Sequence, residues 1–146
     1  MYRELQIHEN KARNAMRAVV ADVKRGTLVT VDGNGALVAA NGEVGLRIAN
    51  RGLNKEYYKS LNGVVSEYDV IEDTIKAGEF VAEVAMESGE RFAFEVATPT
   101  LVAFPNGSFL EATSGVFTKK DVGESRFISR GIFNDNGHAL LIVEIL

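Results

Sequence analysis

Thr27-Leu28-Val29-Thr30-Val31-Asp32-Gly33-Asn34-Gly35-Ala36-Leu37-Val38-Ala39-Ala40 decides how the rest of the chain is read. Two β-prone runs flank four residues that tolerate positive φ, which predicts a hairpin. The pattern recurs outward. Thr100-Leu101-Val102-Ala103-Phe104, then Pro105-Asn106-Gly107, then Ser108-Phe109-Leu110-Glu111-Ala112 predicts a second hairpin. Residues 127–133 lead through Asn134-Asp135-Asn136-Gly137 into 138–146, a third. A fourth pairs 80–86 with 91–96 across Glu87-Ser88-Gly89-Glu90, with Phe92, Phe94 and Val96 on one side and Arg91 and Glu95 on the other, the period of a half-buried antiparallel strand. Short strands with no long helical period between them predict a mainly β chain: a compact β-sandwich, a β-tulip-like fold or a barrel of short antiparallel hairpins. An N-terminal arm, residues 1–14, precedes a single β domain, residues 15–146.

Two segments echo each other. Val23-Lys24-Arg25-Gly26-Thr27-Leu28-Val29 and Ile75-Lys76-Ala77-Gly78-Glu79-Phe80-Val81 share the order apolar, Lys, any residue, Gly, any residue, apolar, Val. The match reads either as a structural duplication or as the ordinary chemistry of a turn before a strand. Two other stretches resist an all-β reading. Ala12, Ala15, Met16, Val19, Val20 and Val23 form a helical stripe that Gly26 would end, yet the valines suit a strand equally. Leu53, Tyr57 and Leu61 fit one short helix between Asn54 and Leu61.

The length, 146 residues, suits one core that needs neither disulfide nor metal, and the chain has no cysteine. That removes thiol nucleophiles, zinc ribbons and iron–sulfur sites. The net charge of −4 argues against a protein that coats nucleic acid. The apolar runs 36–40 and 139–143 are far short of the ~20 residues of a membrane span, and the N-terminus lacks a signal-peptide apolar core, so a soluble chain is expected.

Candidate chemistry is sparse. A nucleophile would have to use His8, in a polar terminal segment, or His138, which opens a strand after a turn, and neither reads as catalytic. Asp32-Gly33-Asn34-Gly35 resembles the start of a calcium loop and Glu43 falls at its twelfth position, but Ala36 lacks a ligand oxygen and Leu37 stands where a sharp turn needs Gly. The acids Glu67, Asp69, Glu72, Asp73, Glu79, Glu83, Glu87, Glu90 and Glu95 read as a solvated strand face or a docking surface for a basic partner. Arg47, Arg51, Lys55 and Lys59 with Tyr57 and Tyr58 read as a polar connection more readily than as a phosphate grip. No catalytic, cofactor-binding or metal-binding residue is expected, hence no cofactor, enzyme activity, nucleic-acid partner or membrane partner.

Charge divides unevenly along the chain. Arg3, Lys11, Arg13, Arg17, Lys24 and Arg25 face only Glu4, Glu9 and Asp22 in the first 25 residues, so a basic arm precedes an acidic body. The arm reads either as a disordered tail or as a segment that orders on a neighbouring chain.

A small cysteine-free β protein with a charged arm, the twice-entered apolar-Lys-x-Gly step, the Thr-Leu-Val-Thr-Val-Asp-Gly hairpin and a strand-rich C-terminus resembles the head-decoration, or capsid cement, proteins of tailed bacteriophages. The resemblance implies a structural virion protein on the capsid exterior, synthesised in the host bacterial cytoplasm. It further implies a trimer that binds the major capsid protein and fastens neighbouring subunits. On that reading residues 2–14 dock on a neighbouring subunit, with Tyr2, Arg3, Leu5, Ile7, Lys11 and Arg13 as the capsid- or subunit-binding residues. The alternatives are a non-catalytic β-barrel adaptor, a tail or neck component, a small ligand-binding β domain, or an enzyme of unfamiliar design.

Overall fold

The hairpin around Asp32 forms as its residues dictate. In the computed structural model, which describes residues 12–13, 17–52 and 74–146, Leu28–Val31 (β3) pairs antiparallel with Leu37–Ala39 (β4). Asp32 accepts the backbone N–H groups of Asn34 and Ala36 on Oδ1, at 2.8 and 2.9 Å, so its carboxylate is used to close the turn. The third predicted hairpin also forms. Phe127–Asp135 (β11) runs into His138–Ile145 (β12) through Asn136 and Gly137, both at positive φ, the conformation that matches a two-residue turn to the strand twist.

The other two predicted hairpins do not form. Residues 100–104 make a turn: the N–H groups of Ala103 and Phe104 bond Thr100 Oγ1 and the Thr100 carbonyl, at 3.2 and 2.9 Å, leaving Leu101 and Val102 in solvent. Leu110–Thr113 (β9) instead pairs with Val116–Lys119 (β10). Ser114 and Gly115 between them have φ of 50° and 83°. Gly115 is required twice over, since a Cβ there would stand 2.4 Å from Thr27 Cγ2. The fourth pairing fails because its strands enter different sheets. Val81–Ala85 (β7) joins a five-stranded sheet, whereas Arg91–Phe94 (β8) pairs with β12. The turn between them docks on the end of β12, where the Gly89 N–H bonds the Ile145 carbonyl at 2.7 Å and the Ile145 N–H bonds the Glu90 carbonyl at 3.0 Å.

The five-stranded sheet has the order β1, β7, β5, β3, β4, with Ala12–Arg13 as β1 and Arg47–Gly52 as β5, and all its pairings are antiparallel. Both of its faces are buried. Leu28, Ile48 and Val84 enter a main core with Phe92, Phe94, Phe117 and Phe127. Their neighbours Val29, Ala49 and Val81 enter a smaller core with Val19, Leu37 and Ile75. Phe94, Phe117 and Phe127 pack in a chain, with centroids 5.0 and 5.3 Å apart and the first pair edge to face.

The echoing segments take equivalent conformations and meet. Val23–Lys24 (β2) pairs with Thr74–Ile75 (β6), Val23 opposite Ile75. Each then turns through a glycine, Gly26 or Gly78, at φ of 90° or 84°. In each turn the lysine carbonyl, Lys24 or Lys76, accepts the N–H three residues on, at 3.1 and 3.0 Å. The 12–23 stripe resolves as strand where it is described: β1, the bridges of Ala18 with Phe80 and of Val19 with Leu37, and then β2. Valines at edge positions found sheet partners there, and the described residues contain no helix. The helix expected between Asn54 and Leu61 lies outside the described residues.

Candidate functional site

The residues that sequence reading assigned to docking divide between what is described and what is not. Tyr2, Arg3, Leu5, Ile7 and Lys11 lie outside the described residues. Arg13 belongs to β1 and stands opposite Glu83 on the chain's own β7, so Ala12–Arg13 pairs within the molecule. Arg47 lies on β5 opposite Ala85, and its guanidinium pairs with Glu83 at 3.2 Å. Glu83, placed by sequence on a solvated face, is fully buried and also accepts from Arg17 at 2.8 Å. The two cations offset part of the cost of burying the carboxylate.

His138 is exposed at the start of β12. Among the described residues no three of Asp, Glu and His gather as metal ligands. No helix among them is long and apolar enough to cross a membrane.

Two turns present apolar side chains where turn chemistry favours polar ones. Glu43-Val44-Gly45 and Asp121-Val122-Gly123 repeat the order acid, Val, Gly, and each valine is 83% exposed. They are held from below. Gly42 and Ala112 exchange both backbone hydrogen bonds, at 2.8 and 2.7 Å, and Asn41 Oδ1 accepts the Ser114 N–H at 2.9 Å. Lys120 ties the turns to each other, with Nζ 2.7 Å from Glu43 Oε2 and 3.0 Å from the Glu124 carbonyl. Val44, Glu124, Arg126 and Leu146 border a shallow hollow of about 470 Å³ beside them. Sequence reading passed over both turns because each isolated valine is unremarkable. The repeated tripeptide was the available signal.

A larger apolar cleft, about 640 Å³, lies along β10, with Phe117 and Phe104 in its lining and Lys24 and Lys119 among its polar groups. The cleft has the size of a small-ligand or peptide site.

No family model, curated protein or solved structure matches this chain.

Proposed function

We propose that this chain is a non-catalytic structural protein that docks on a protein lattice, and specifically that it decorates the outside of a phage capsid and fastens neighbouring major capsid subunits, most simply as a trimer. The observation that carries the reading is the pair of stiffly held turn tips, Val44 and Val122, cross-linked by Lys120. A surface already fixed loses little side-chain and loop entropy on binding. Burying both valines contributes on the order of 3 to 6 kcal/mol at most, too little for one copy to stay bound against the cost of association. Weak rigid contacts become useful when one body offers several to a repeating surface, because each bound contact raises the effective concentration of the next. Tyr2, Leu5 and Ile7, with Arg3 and Lys11, supply the second contact in this reading, as the resemblance to cement proteins implies.

The test is co-sedimentation with capsids assembled from the major capsid protein encoded beside this chain. Val44→Asp combined with Val122→Asp should melt as the parent does and lose roughly tenfold or more in occupancy at limiting protein. Deleting residues 2–11, which leaves β1 intact, should give a second, separate loss. Full occupancy by both variants would overturn the reading, as would the lack of any capsid gene near this one.

A further inference from the structure

Among the described residues, strand β10 has one paired edge and one open edge. It pairs with β9, and among the described residues no backbone hydrogen bond reaches Val116–Lys119 from any other segment. The 640 Å³ cleft lies along this strand, for all four of its residues line it. Val96 and Phe104, from the segments that follow β8, also line it. A smaller hollow of about 100 Å³ shares Val116, Phe117, Lys24 and Glu95 with it and continues it toward Gly26.

The charges of the cleft are unbalanced. Lys24 and Lys119 are both exposed, and among the described residues neither ammonium group has a hydrogen-bond or ion-pair partner. Glu95 is the one carboxylate in the lining, against these two lysines. An apolar bed beside a strand edge that no described segment covers, with two cations in its lining that have no described partner, fits an extended, acidic chain. A strand alternates its side chains between two faces, so one set would enter the apolar bed and the next would point to the rim. The edge N–H and C=O groups of β10 would supply the backbone pairing.

We infer that β10 is a strand-addition site for an extended segment of a partner protein in which apolar and acidic residues alternate. The apolar side chains lie on Phe117, Phe104 and Val96, and the carboxylates meet Lys24 and Lys119. The inference does not rest on the capsid reading, because Val44 and Val122 belong to different turns and do not line this cleft.

The full chain is titrated into a dye-labelled capped peptide, Val-Asp-Val-Asp-Val-Asp, and fluorescence anisotropy is read. Three comparisons decide the matter. A peptide with Lys in place of Asp, and the protein carrying Lys24→Glu with Lys119→Glu, should each bind at least about tenfold more weakly. A peptide N-methylated at alternate residues, which keeps every side chain but removes the N–H groups of one edge, should lose a similar factor. Both lysines are exposed, so the double variant should keep the parent's melting temperature, and a separate Val44→Asp variant should bind the peptide as the parent does. Absence of binding at millimolar peptide would overturn the inference, leaving Lys119 as a guard against edge pairing. Equal binding of the N-methylated peptide would overturn the strand-addition geometry. Binding that arises only when residues 64–73 are replaced by a Gly-Ser linker would also overturn it, because the cleft would then belong to the chain itself.

Discussion

Glu83 and Glu144 each lie between two arginines, and only one of them is dry. Glu144, on β12, has two guanidinium contacts on each oxygen: Arg91 Nε and Nη2 approach Oε1 at 2.9 Å, and Arg130 Nε and Nη2 approach Oε2 at 2.8 Å. Its side chain remains 18% exposed. Glu83, with no exposure, has both contacts on Oε1, from Arg17 at 2.8 Å and Arg47 at 3.2 Å, and its buried Oε2 accepts no hydrogen bond from a described residue. The better-made cluster is expected to matter less to stability. At the surface water competes for both charges, whereas a buried carboxylate depends wholly on its partners.

The largest effect should follow from stripping Glu83 of both. Arg17→Met with Arg47→Met leaves a buried carboxylate with neither cation, and the expected loss is about 3 to 5 kcal/mol of unfolding free energy in urea. Adding Glu83→Leu to that double variant should recover most of the loss, because an apolar side chain of similar size needs no partner there. If the triple variant were as unstable as the double, the arginines would act through packing of their stems, and the charge argument would fail.

Single substitutions sharpen the contrast. Arg47→Met should cost about 1.5 to 3 kcal/mol, the range for a hydrogen bond to a charged group, since Arg17 remains. Arg91→Met should cost about 0.2 to 1 kcal/mol, as exposed ion pairs do, although its contacts are shorter and more numerous. Denaturant midpoints of the two variants, measured side by side, check the order. An equal loss would mean that burial does not separate the two clusters.

The same distinction governs what was legible in the sequence. Hairpins closed by Asp32 and by Asn136-Gly137 were readable because the turn residues dictate the local backbone, and the mainly β fold followed from them. Ser114-Gly115 carries the same instruction in less conspicuous letters, so β9 was paired with the wrong side. The β7 and β8 segments misled for a different reason. Every residue of the two strands except Ala85 and Arg91 is buried, so their pattern names no neighbour, and the choice of β12 over β7 as partner of β8 depends on residues about 50 positions away. The echo at Val23 and Ile75 was visible as a pattern, whereas the direct pairing of the two copies was not. Candidate surfaces were hardest to read. Burial of Glu83, exposure of Val44 and Val122 and the edge of β10 that no described segment covers are properties of assembled neighbours, and no local pattern of residue types announces them.

The smallest effect expected is the pH response of the surface cluster. Hydrogen bonds from Arg130, and then from Arg91, hold the Glu144 carboxyl below the usual carboxylate range, against a smaller opposing effect of burial. A carboxyl whose folded value is lowered binds its proton more readily in the unfolded chain. Its stabilisation is therefore present above the ordinary carboxylate range and disappears as pH falls through the lowered folded value. Glu144→Gln removes this linkage. The difference in unfolding free energy between parent and variant should be largest near neutral pH, shrink as pH falls through the carboxylate range, and vanish once Glu144 is protonated in both states. Added salt should shrink the neutral-pH difference as well, because these charges are reached by solvent. A difference that stayed constant from neutral pH to acid would show that Glu144 contributes through shape and neutral hydrogen bonding rather than through its charge. The surface cluster would then resemble an uncharged contact, and the comparison with Glu83 would have to be drawn on packing alone.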